Sequence, residues 1–478
     1  MNRPIFRLYG LVVVLFALLV GFTSRWTIFE ASSLRENKLN RRGLLEQQRI
    51  ARGPIVAADG TVLARSHRGS EGIYERSYPT GSLFANTVGY YFTNLGSTGI
   101  ERFRSAYLNG QTDTGVQAIL DQLQGHKPTG EKVVTTLDPK AQRVADEALA
   151  EHKGAVVAME PRSGAVTVMA SSPSYDPNSL RSAKAFEQLA HDTQREPLIN
   201  RATQFGYAPG STFKVVTATA AIDSGAFTPQ STVNGRDNVP ISGVPLKNDN
   251  NESFGALSLE QGLAKSVNTV YAQVAERLGK ATLARYMSRF GFDRKPQLDY
   301  PATEMSASGE SEGEKIVPPT SERFDVGRMG IGQDKLAVTP LQMAEVASAV
   351  ANHGTLMVPH LTSRIVNAEG QTTVRIAPRV QSKVMKGSTA AAVTSMMEAV
   401  VNEGTGVSAQ IPGVQVAGKT GTAETQIGTA INNVWFIAFA PAQNPRVAIA
   451  VTLKGVPGQG ASFAAPVARQ VIERLLHD

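Results

Sequence analysis

Pro209-Gly210-Ser211-Thr212-Phe213-Lys214 leads straight into Val215-Val216-Thr217-Ala218-Thr219-Ala220-Ala221-Ile222, an alanine- and threonine-rich run of helical composition. Gly210 punctuates the loop ahead of it, so Ser211 stands where the helix begins and backbone N–H groups favour a developing negative charge. Lys214 follows three residues later, and an i, i+3 spacing puts both side chains on one helical face. A lysine stripped of its charge by burial can accept a serine proton, which makes the two a candidate nucleophile and base. Taken alone, the same residues also read as an N-cap serine with a solvated lysine one turn on.

Two further stretches bear on that choice. Ser266-Val267-Asn268 lies in a helical insertion, and a hydroxyl and an amide two apart can relay a proton and hold a substrate amide. By itself it also reads as an ordinary loop or cap. Lys419-Thr420-Gly421-Thr422 closes a strand-like run that starts at Val414. A strand edge with a cation, hydroxyls and a glycine that lets a ligand backbone approach suits the carboxylate of an extended peptide, although a turn with an exposed lysine has the same composition. Each of Ser-x-x-Lys, Ser-x-Asn and Lys-Thr-Gly occurs once in the chain, in that order. Such a set is the signature of penicillin-interacting serine enzymes, and its joint occurrence outweighs the separate bland readings.

Outward from these stretches, Gly154 to Met159 and Ala165 to Met169 flank an Arg-Ser-Gly turn and read as a β-hairpin of alternating character. Three more strand-like runs, Val414 to Gly418, Val434 to Ala440 and Val447 to Leu453, come much later. Between the two sets lie helical segments Thr212 to Ile222, Leu257 to Leu278 and Leu341 to Ala351, and Phe463 to Leu476 closes the chain as a helix. Strands at both ends with helices between them predict one antiparallel sheet assembled from distant segments and packed by helices. The polar stretch from Ser306 to Glu314 is expected to be a mobile loop.

Towards the N-terminus, Arg3 and Arg7 precede an unbroken apolar run from Leu8 to Phe22, followed by Thr23, Ser24, Arg25 and an interfacial Trp26. The run is long enough to cross a bilayer, and no small-x-small cleavage site follows it, so residues 1–25 are read as an uncleaved anchor rather than a signal peptide. Arg35, Lys38, Arg41, Arg42 and Arg49 on its far side run against the positive-inside tendency, so export of the rest of the chain rests on the chemistry. From residue 26 to 130 the chain is polar, with a helical start after the membrane and turn signals at Arg52-Gly53-Pro54, Asp59-Gly60, Tyr78-Pro79-Thr80-Gly81 and Asn109-Gly110. It reads as a non-catalytic pedestal ahead of a globular domain over 131–478.

The net charge of +7 is spread among acidic residues without an aromatic-interleaved basic stripe, so it points to a polyanionic surface such as membrane or wall, or to solubility alone, and not to nucleic acid. The chain has no cysteine, which excludes disulfides, thiolate metal sites and cysteine nucleophiles. No His-Glu-x-x-His pair is present, and although Gly309 to Gly313 matches Gly-x-Ser-x-Gly and Gly413 to Thr420 matches the P-loop spacing, the first lies in a polar stretch and the second within a strand-like run, without the strand-turn-helix context either motif needs. A Ser-His-Asp hydrolase, a metal and a nucleotide are therefore not expected, and no cofactor is assigned.

With the three motifs in place, the sequence resembles the class B penicillin-binding proteins, and most closely the actinobacterial penicillin-binding protein A group. The resemblance extends over Arg52-Gly53-Pro54-Ile55, Thr136-Leu137-Asp138-Pro139, Ser172-Pro173-Ser174-Tyr175-Asp176-Pro177-Asn178, Asn200-Arg201-Ala202, Leu341-Gln342-Met343-Ala344 and Ala351-Asn352-His353-Gly354. It implies an α+β penicillin-binding transpeptidase fold, similar to the serine β-lactamases: an antiparallel five-stranded sheet with helices on both faces and a helical insertion, behind a pedestal and one transmembrane helix. It further implies a peptidoglycan D,D-transpeptidase, with Ser211 acylated, Lys214 as general base, and Ser266 and Lys419 passing the proton to the departing D-alanine. Asn268 would hold the donor amide, Thr420 and Thr422 beside Gly421 its carboxylate, and the N–H groups of Ser211 and Thr422 the oxyanion. Burial, Lys419 and the helix N-terminus are all expected to lower the pKa of Lys214.

Implied partners are stem peptides ending in D-Ala-D-Ala, β-lactams, the membrane, and a polytopic glycosyltransferase of the shape, elongation, division and sporulation group, since about 105 residues of pedestal are too few for a glycosyltransferase domain. The implied location is the cell membrane, single-pass, with the catalytic domain outside. Ala57-Ala58-Asp59-Gly60, where many relatives read Asp-Arg-x-Gly, and Glu160, where aspartate is frequent, are departures away from the chemistry. A β-lactamase, a D,D-carboxypeptidase and an acylated sensor share the same motifs. The first would need a base for water that no stretch nominates; the second uses the same residues.

Overall fold

The computed structural model describes residues 3–25, 48–69, 72–111, 129–150, 152–313, 315–424 and 431–477. Trp26, the basic residues Arg35, Lys38, Arg41 and Arg42 and the helical start expected after the apolar run lie outside the described residues. Helix α1 (Arg3–Ser24) carries the apolar run, and its side chains from Pro4 to Thr23 are exposed rather than packed on the protein. A helix apolar all round has no polar face for water, and its length and composition suit a membrane anchor or a signal sequence.

The N-terminal region is built on strands β1 (Ile55–Val56), β2 (Val62–Arg68) and β3 (Tyr74–Ser77), continued by β4 (Lys132–Thr135). The turn expected at Asp59-Gly60 reverses the chain between β1 and β2, which pair antiparallel, while β1 and β4 run parallel. Under them lies a buried ion triad: Glu101 accepts from Arg52 Nε and Arg76 Nε, both at 2.6 Å. Burial alone would raise the Glu101 pKa; the two guanidiniums outweigh it and hold the carboxyl below its usual range.

Helix α2 (Pro139–Leu149) starts on an Asp138 cap that accepts from Lys140 N and Ala141 N, with Pro139 at its first position. Strands β5 (Gly154–Met159) and β6 (Val166–Ser172) form the expected hairpin, but every residue of β5 is buried. The reason is that both faces of its sheet are covered: Ala155, Val157 and Met159 enter one apolar cluster, Val156 and Ala158 a second. The period of two therefore separates two cores rather than core from water.

Helix α3 (Lys214–Asp223) follows a 3₁₀ turn over Gly210–Phe213. The helical run expected from Leu257 to Leu278 is a short strand, Ala256–Ser258, then two helices, α4 (Leu259–Ala264) and α5 (Asn268–Phe290). A Ser258/Gln261 capping box starts α4, and Gly291 in the left-handed region ends α5. The stretch expected to be a mobile loop contains β7 (Gly309–Glu312), which pairs with β8 (Lys315–Ile316) and β9 (Leu336–Ala337). Ser308 and Glu310 are buried there, so pairing overrides the polar composition; Glu314 lies outside the described residues.

Helix α6 (Pro340–Ala351) is buried along its whole length beneath the main sheet and is capped by Thr339. Strands β10 (Thr362–Val366) and β11 (Thr372–Arg375) then join the N-terminal sheet, whose order is β11-β10-β4-β1-β2-β3. Late chain is thus stitched into early chain. Helix α7 (Gly387–Asn402) precedes strands β12 (Ala417–Glu424), β13 (Ile431–Ala440) and β14 (Val447–Pro457), and α8 (Gly460–Leu476) closes the fold. The five-stranded antiparallel sheet has the order β12-β13-β14-β5-β6. Helices α2 and α8 pack on one face and α6 on the other, as expected for a sheet made of distant segments. The run read as a strand from Val414 instead begins at Ala417 and continues through Glu424. Polar residues at buried positions obscure the apolar period.

Candidate active site

Strand β12 is an edge of the five-stranded sheet, so β13 pairs it on one side only. An edge strand is a template for an extended peptide. Beside it stands the 3₁₀ turn of Ser211. Ser211 precedes α3 rather than opening it, and in a 3₁₀ turn residues i and i+3 eclipse, which aligns Ser211 and Lys214 on one face.

The turn is held on all sides. Trp435 Nε1 donates to Ala208 O at 2.9 Å, Gly210 N donates to Gly332 O at 3.0 Å, and Thr212 Oγ1 donates to Pro209 O at 2.8 Å. Gly210 has φ +52°, and a Cβ on it would stand 2.5 Å from Thr422 O. A Cβ on Gly421 would meet Pro209 O at 2.7 Å. The glycine expected to admit a ligand backbone therefore admits the backbone of the Ser211 turn, and so fixes how close the turn lies to the strand.

Ser266 sits at the break between α4 and α5, with φ +59°. That left-handed conformation is unfavourable for a residue with a Cβ and is a mark of a functional constraint. It sets the hydroxyl between two buried amines: Lys419 Nζ donates to Ser266 Oγ at 3.0 Å, and Lys214 Nζ lies 3.4 Å from the same oxygen. Lys214 Nζ also donates to Ser266 O at 2.6 Å and Asn268 Oδ1 at 2.7 Å. A neutral amine has two hydrogens, and these short bonds use both, leaving the lone pair for a hydroxyl proton. Lys419 Nζ further reaches Thr420 O at 3.0 Å and Thr420 Oγ1 at 3.3 Å.

Both lysines are 0% exposed. Burial pushes Lys214 down to about 7, against the opposing pull of the Asp249 carboxylate. Burial and then the proximity of Lys214 hold Lys419 well below the ordinary lysine range. Of the causes expected for Lys214, burial is the largest; the repulsion between the two amines is mutual and disfavours charging both.

The structure brings Lys214, Ser266, Asn268, Lys419 and Thr420 into one hydrogen-bonded group. Gly421 and Thr422 lie on the same strand against the Ser211 turn, and Thr422 Oγ1 accepts from Gly460 N at 3.3 Å. Ser211 is 9% exposed, and its hydroxyl makes no hydrogen bond among the described residues; catalytic contacts of this kind often tighten only with substrate bound. Sequence reading missed Thr405, whose Oγ1 is 2.6 Å from Thr420 Oγ1, and Asp249, which accepts from Asn268 Nδ2 at 3.2 Å. The polar turn Asn248-Asp249-Asn250-Asn251 was the available signal for the second.

Comparison with known proteins bears on the family. Residues 154–473 match the family described as penicillin binding protein transpeptidase domain, and residues 52–133 match the penicillin binding protein A dimerisation domain. The chain is 34% identical over 502 residues to the peptidoglycan D,D-transpeptidase PbpA of Mycolicibacterium smegmatis, covering 100% of both. It is 30% identical over 452 residues to the peptidoglycan D,D-transpeptidase MrdA of Acinetobacter baumannii, covering 83% of this chain and 65% of the relative. Among solved structures, the ceftriaxone acyl-enzyme complex of penicillin-binding protein A from M. tuberculosis superposes with TM-score 0.81 at 33% identity, over 90% of this chain and 100% of the other.

Proposed function

Since this chain belongs to the penicillin-binding protein transpeptidases and is a peptidoglycan D,D-transpeptidase that binds penicillin, we propose how its residues divide that reaction. Ser211 Oγ attacks the carbonyl of the penultimate D-alanine of a donor stem peptide while neutral Lys214 takes its proton. The N–H groups of Ser211 and Thr422 hold the oxyanion, Asn268 the donor amide, and Thr420 and Thr422 the terminal carboxylate. As the C–N bond breaks, the leaving D-alanine amine takes a proton through Ser266 from the lysine pair. The amine of a second stem peptide then enters by the same route and attacks the acyl carbonyl; its proton passes through the relay to Ser211 Oγ as the acyl C–O bond breaks, and the cross-link forms.

The observation that carries this reading is the buried relay Lys214, Ser266 Oγ, Lys419, with one amine lowered to about 7 and so half neutral near physiological pH. The apolar helix α1 supports an anchor that leaves the rest of the chain outside the cytoplasmic membrane, since the substrate is assembled there. The region 26–130 would then be a pedestal, and glycan strands would come from a polytopic glycosyltransferase partner.

The test is to treat the full chain in detergent micelles with a fluorescent penicillin and follow the label by gel and mass spectrometry. A long-lived adduct on Ser211, absent in Ser211→Ala, is expected. Rapid loss of the adduct with hydrolysis of the antibiotic would make the protein a β-lactamase, and an adduct on another residue would refute the assignment of Ser211.

A further inference from the structure

Asn268 must face one way for the relay to work. Its Oδ1 accepts from Lys214 Nζ at 2.7 Å, while its Nδ2 donates to Lys247 O and to Asp249 Oδ1, each at 3.2 Å. Rotated by half a turn, the amide would set its oxygen against a carbonyl and a carboxylate, two like-to-like contacts, and would take from Lys214 the acceptor of one of its hydrogens. Asp249 belongs to a loop that is itself held in place. Asn248 Oδ1 accepts from Thr269 N at 3.0 Å, and Asn248 Nδ2 donates to Gly235 O at 3.0 Å and Glu252 O at 2.9 Å. Asn250 and Asn251 both adopt φ +56°, which turns the loop tightly behind Asp249.

The Asp249 carboxylate forms no ion pair among the described residues. Lys214 on α3 and Lys419 on β12 face it from the catalytic side, and its field reaches both amines. On the other side it lines a cavity together with Glu252, Lys265, Ser266 and Glu403. Of these Lys265 is the cation, and its ammonium is engaged 5.4 Å from the centre of the Phe254 ring.

We infer that Asp249 is a positioning residue of the acylation site: it fixes the orientation of the Asn268 amide, and it supplies the negative charge that the two buried amines face. The inference rests on the division of labour proposed above. Its two parts separate by mutation. Asp249→Asn keeps an acceptor for Asn268 Nδ2 and removes the charge; Asp249→Ala removes both. An anion beside a base favours its protonated form, so loss of the charge lowers the Lys214 pKa and moves the acid limb of acylation to lower pH. For an exposed carboxylate acting across the Asn268 amide on a buried amine the shift is roughly half a pH unit to one unit.

The experiment labels lysine side chains with ¹³C in the full chain in detergent micelles and titrates the Lys214 resonance, assigned by its loss in Lys214→Arg. Acylation by a fluorescent penicillin is measured from pH 5 to 9 on the same samples. Expected are a lower Lys214 midpoint in both variants, a plateau acylation rate in Asp249→Ala at least about tenfold slower than wild type, and recovery of most of that rate in Asp249→Asn. The inference is overturned if Lys214 titrates at one pH in all three proteins, or if Asp249→Ala acylates at the wild-type plateau. Should wild type itself fail to label Ser211, the parent reading falls, and the resonance midpoints still decide whether Asp249 bears on Lys214.

Discussion

Replacing Ser266 by glycine separates folding from catalysis. At φ +59° the serine carries the cost of a Cβ in the left-handed region, about 1–2 kcal/mol, which glycine does not. The substitution also removes the hydroxyl that accepts from Lys419 Nζ at 3.0 Å, a loss of about 0.5–1.5 kcal/mol. The two effects oppose each other at similar size, so Ser266→Gly is expected within about 1 kcal/mol of wild type. Ser266→Ala keeps the strain, loses the same bond, and should be less stable than the glycine variant by about 1 kcal/mol. Activity moves differently. With no hydroxyl between Lys214 and Lys419 the leaving amine has no short path to a proton, and acylation should fall by about 10²–10⁴ in both variants. The assays are thermal unfolding of the full chain in micelles and the rate of fluorescent-penicillin labelling. A glycine variant that acylates within threefold of wild type would refute the relay. One far less stable than the alanine variant would refute the account of the strained backbone.

Three further outcomes follow from particular contacts. Lys214→Arg places a permanently protonated group at the base position, so acylation should drop by about 10²–10⁴, whereas the wild-type rate should fall about tenfold per unit below pH about 7; a normal rate in the variant rules out a lysine base. Glu345, wholly buried on α6 with Oε1 unpaired, is pushed by burial up to about 8 against a weaker pull from Arg294. Its folded pKa lies above the unfolded value of about 4.3, so its contribution to stability is intact below that value and is lost as pH rises through about 8. Glu345→Gln should therefore raise the melting temperature at pH 7.5, by the equivalent of about 1–3 kcal/mol, and leave it nearly unchanged at pH 4.5; equal effects at both would contradict the shift. Gly421→Ala puts a Cβ 2.7 Å from Pro209 O and must move the Ser211 turn away from β12; acylation about 10–10² slower, with Ser211 still the labelled residue, is the expected reading, and an unchanged rate would show that the spacing is not critical.

Much of this site was legible because it depends on residue types at short spacing. Ser211 and Lys214, Ser266 and Asn268, and Lys419 to Thr422 carry their chemistry locally, and their order along the chain maps to turn, helix break and strand. What escaped depends on distant partners. No proline or glycine stands between Leu263 and Thr269 to announce the break between α4 and α5; it is closed by Ser266 N donating to Leu263 O and Val267 N to Gly262 O, at 3.1 and 2.8 Å. The edge strand β12 was placed too early because its buried positions hold lysine, threonine and glycine, which a search for alternating apolar residues passes over. Glu310 was read as part of a mobile stretch, yet β7 carries it into the interior between β8 and β9. The pairing of β10 with β4, more than 200 residues apart in sequence, follows a register that no local pattern encodes.

The same burial is what would let Lys214 serve as the base of the proposed reaction. An ammonium removed from water is disfavoured by several kcal/mol even after local relaxation. Lys214 and Lys419 are both enclosed, with one hydroxyl between them, and Asp249 is the carboxylate whose field favours their charged forms. Two full charges there would repel across a low-dielectric gap, so near neutrality the pair holds fewer than two extra protons. For Lys214 the folded pKa lies below the unfolded one, so the penalty on folding grows as pH falls from about 10.4, where the unfolded chain takes up the proton, and is at its full size below about pH 7, where the folded chain holds it too. The fold accepts that penalty because the lysines hang on elements held by much larger interactions: α3 packed in the main cluster, and β12 paired along its length with β13. Rigid support for an unstable ionic state is what turns an ordinary lysine into a group able to take a proton from Ser211 at neutral pH.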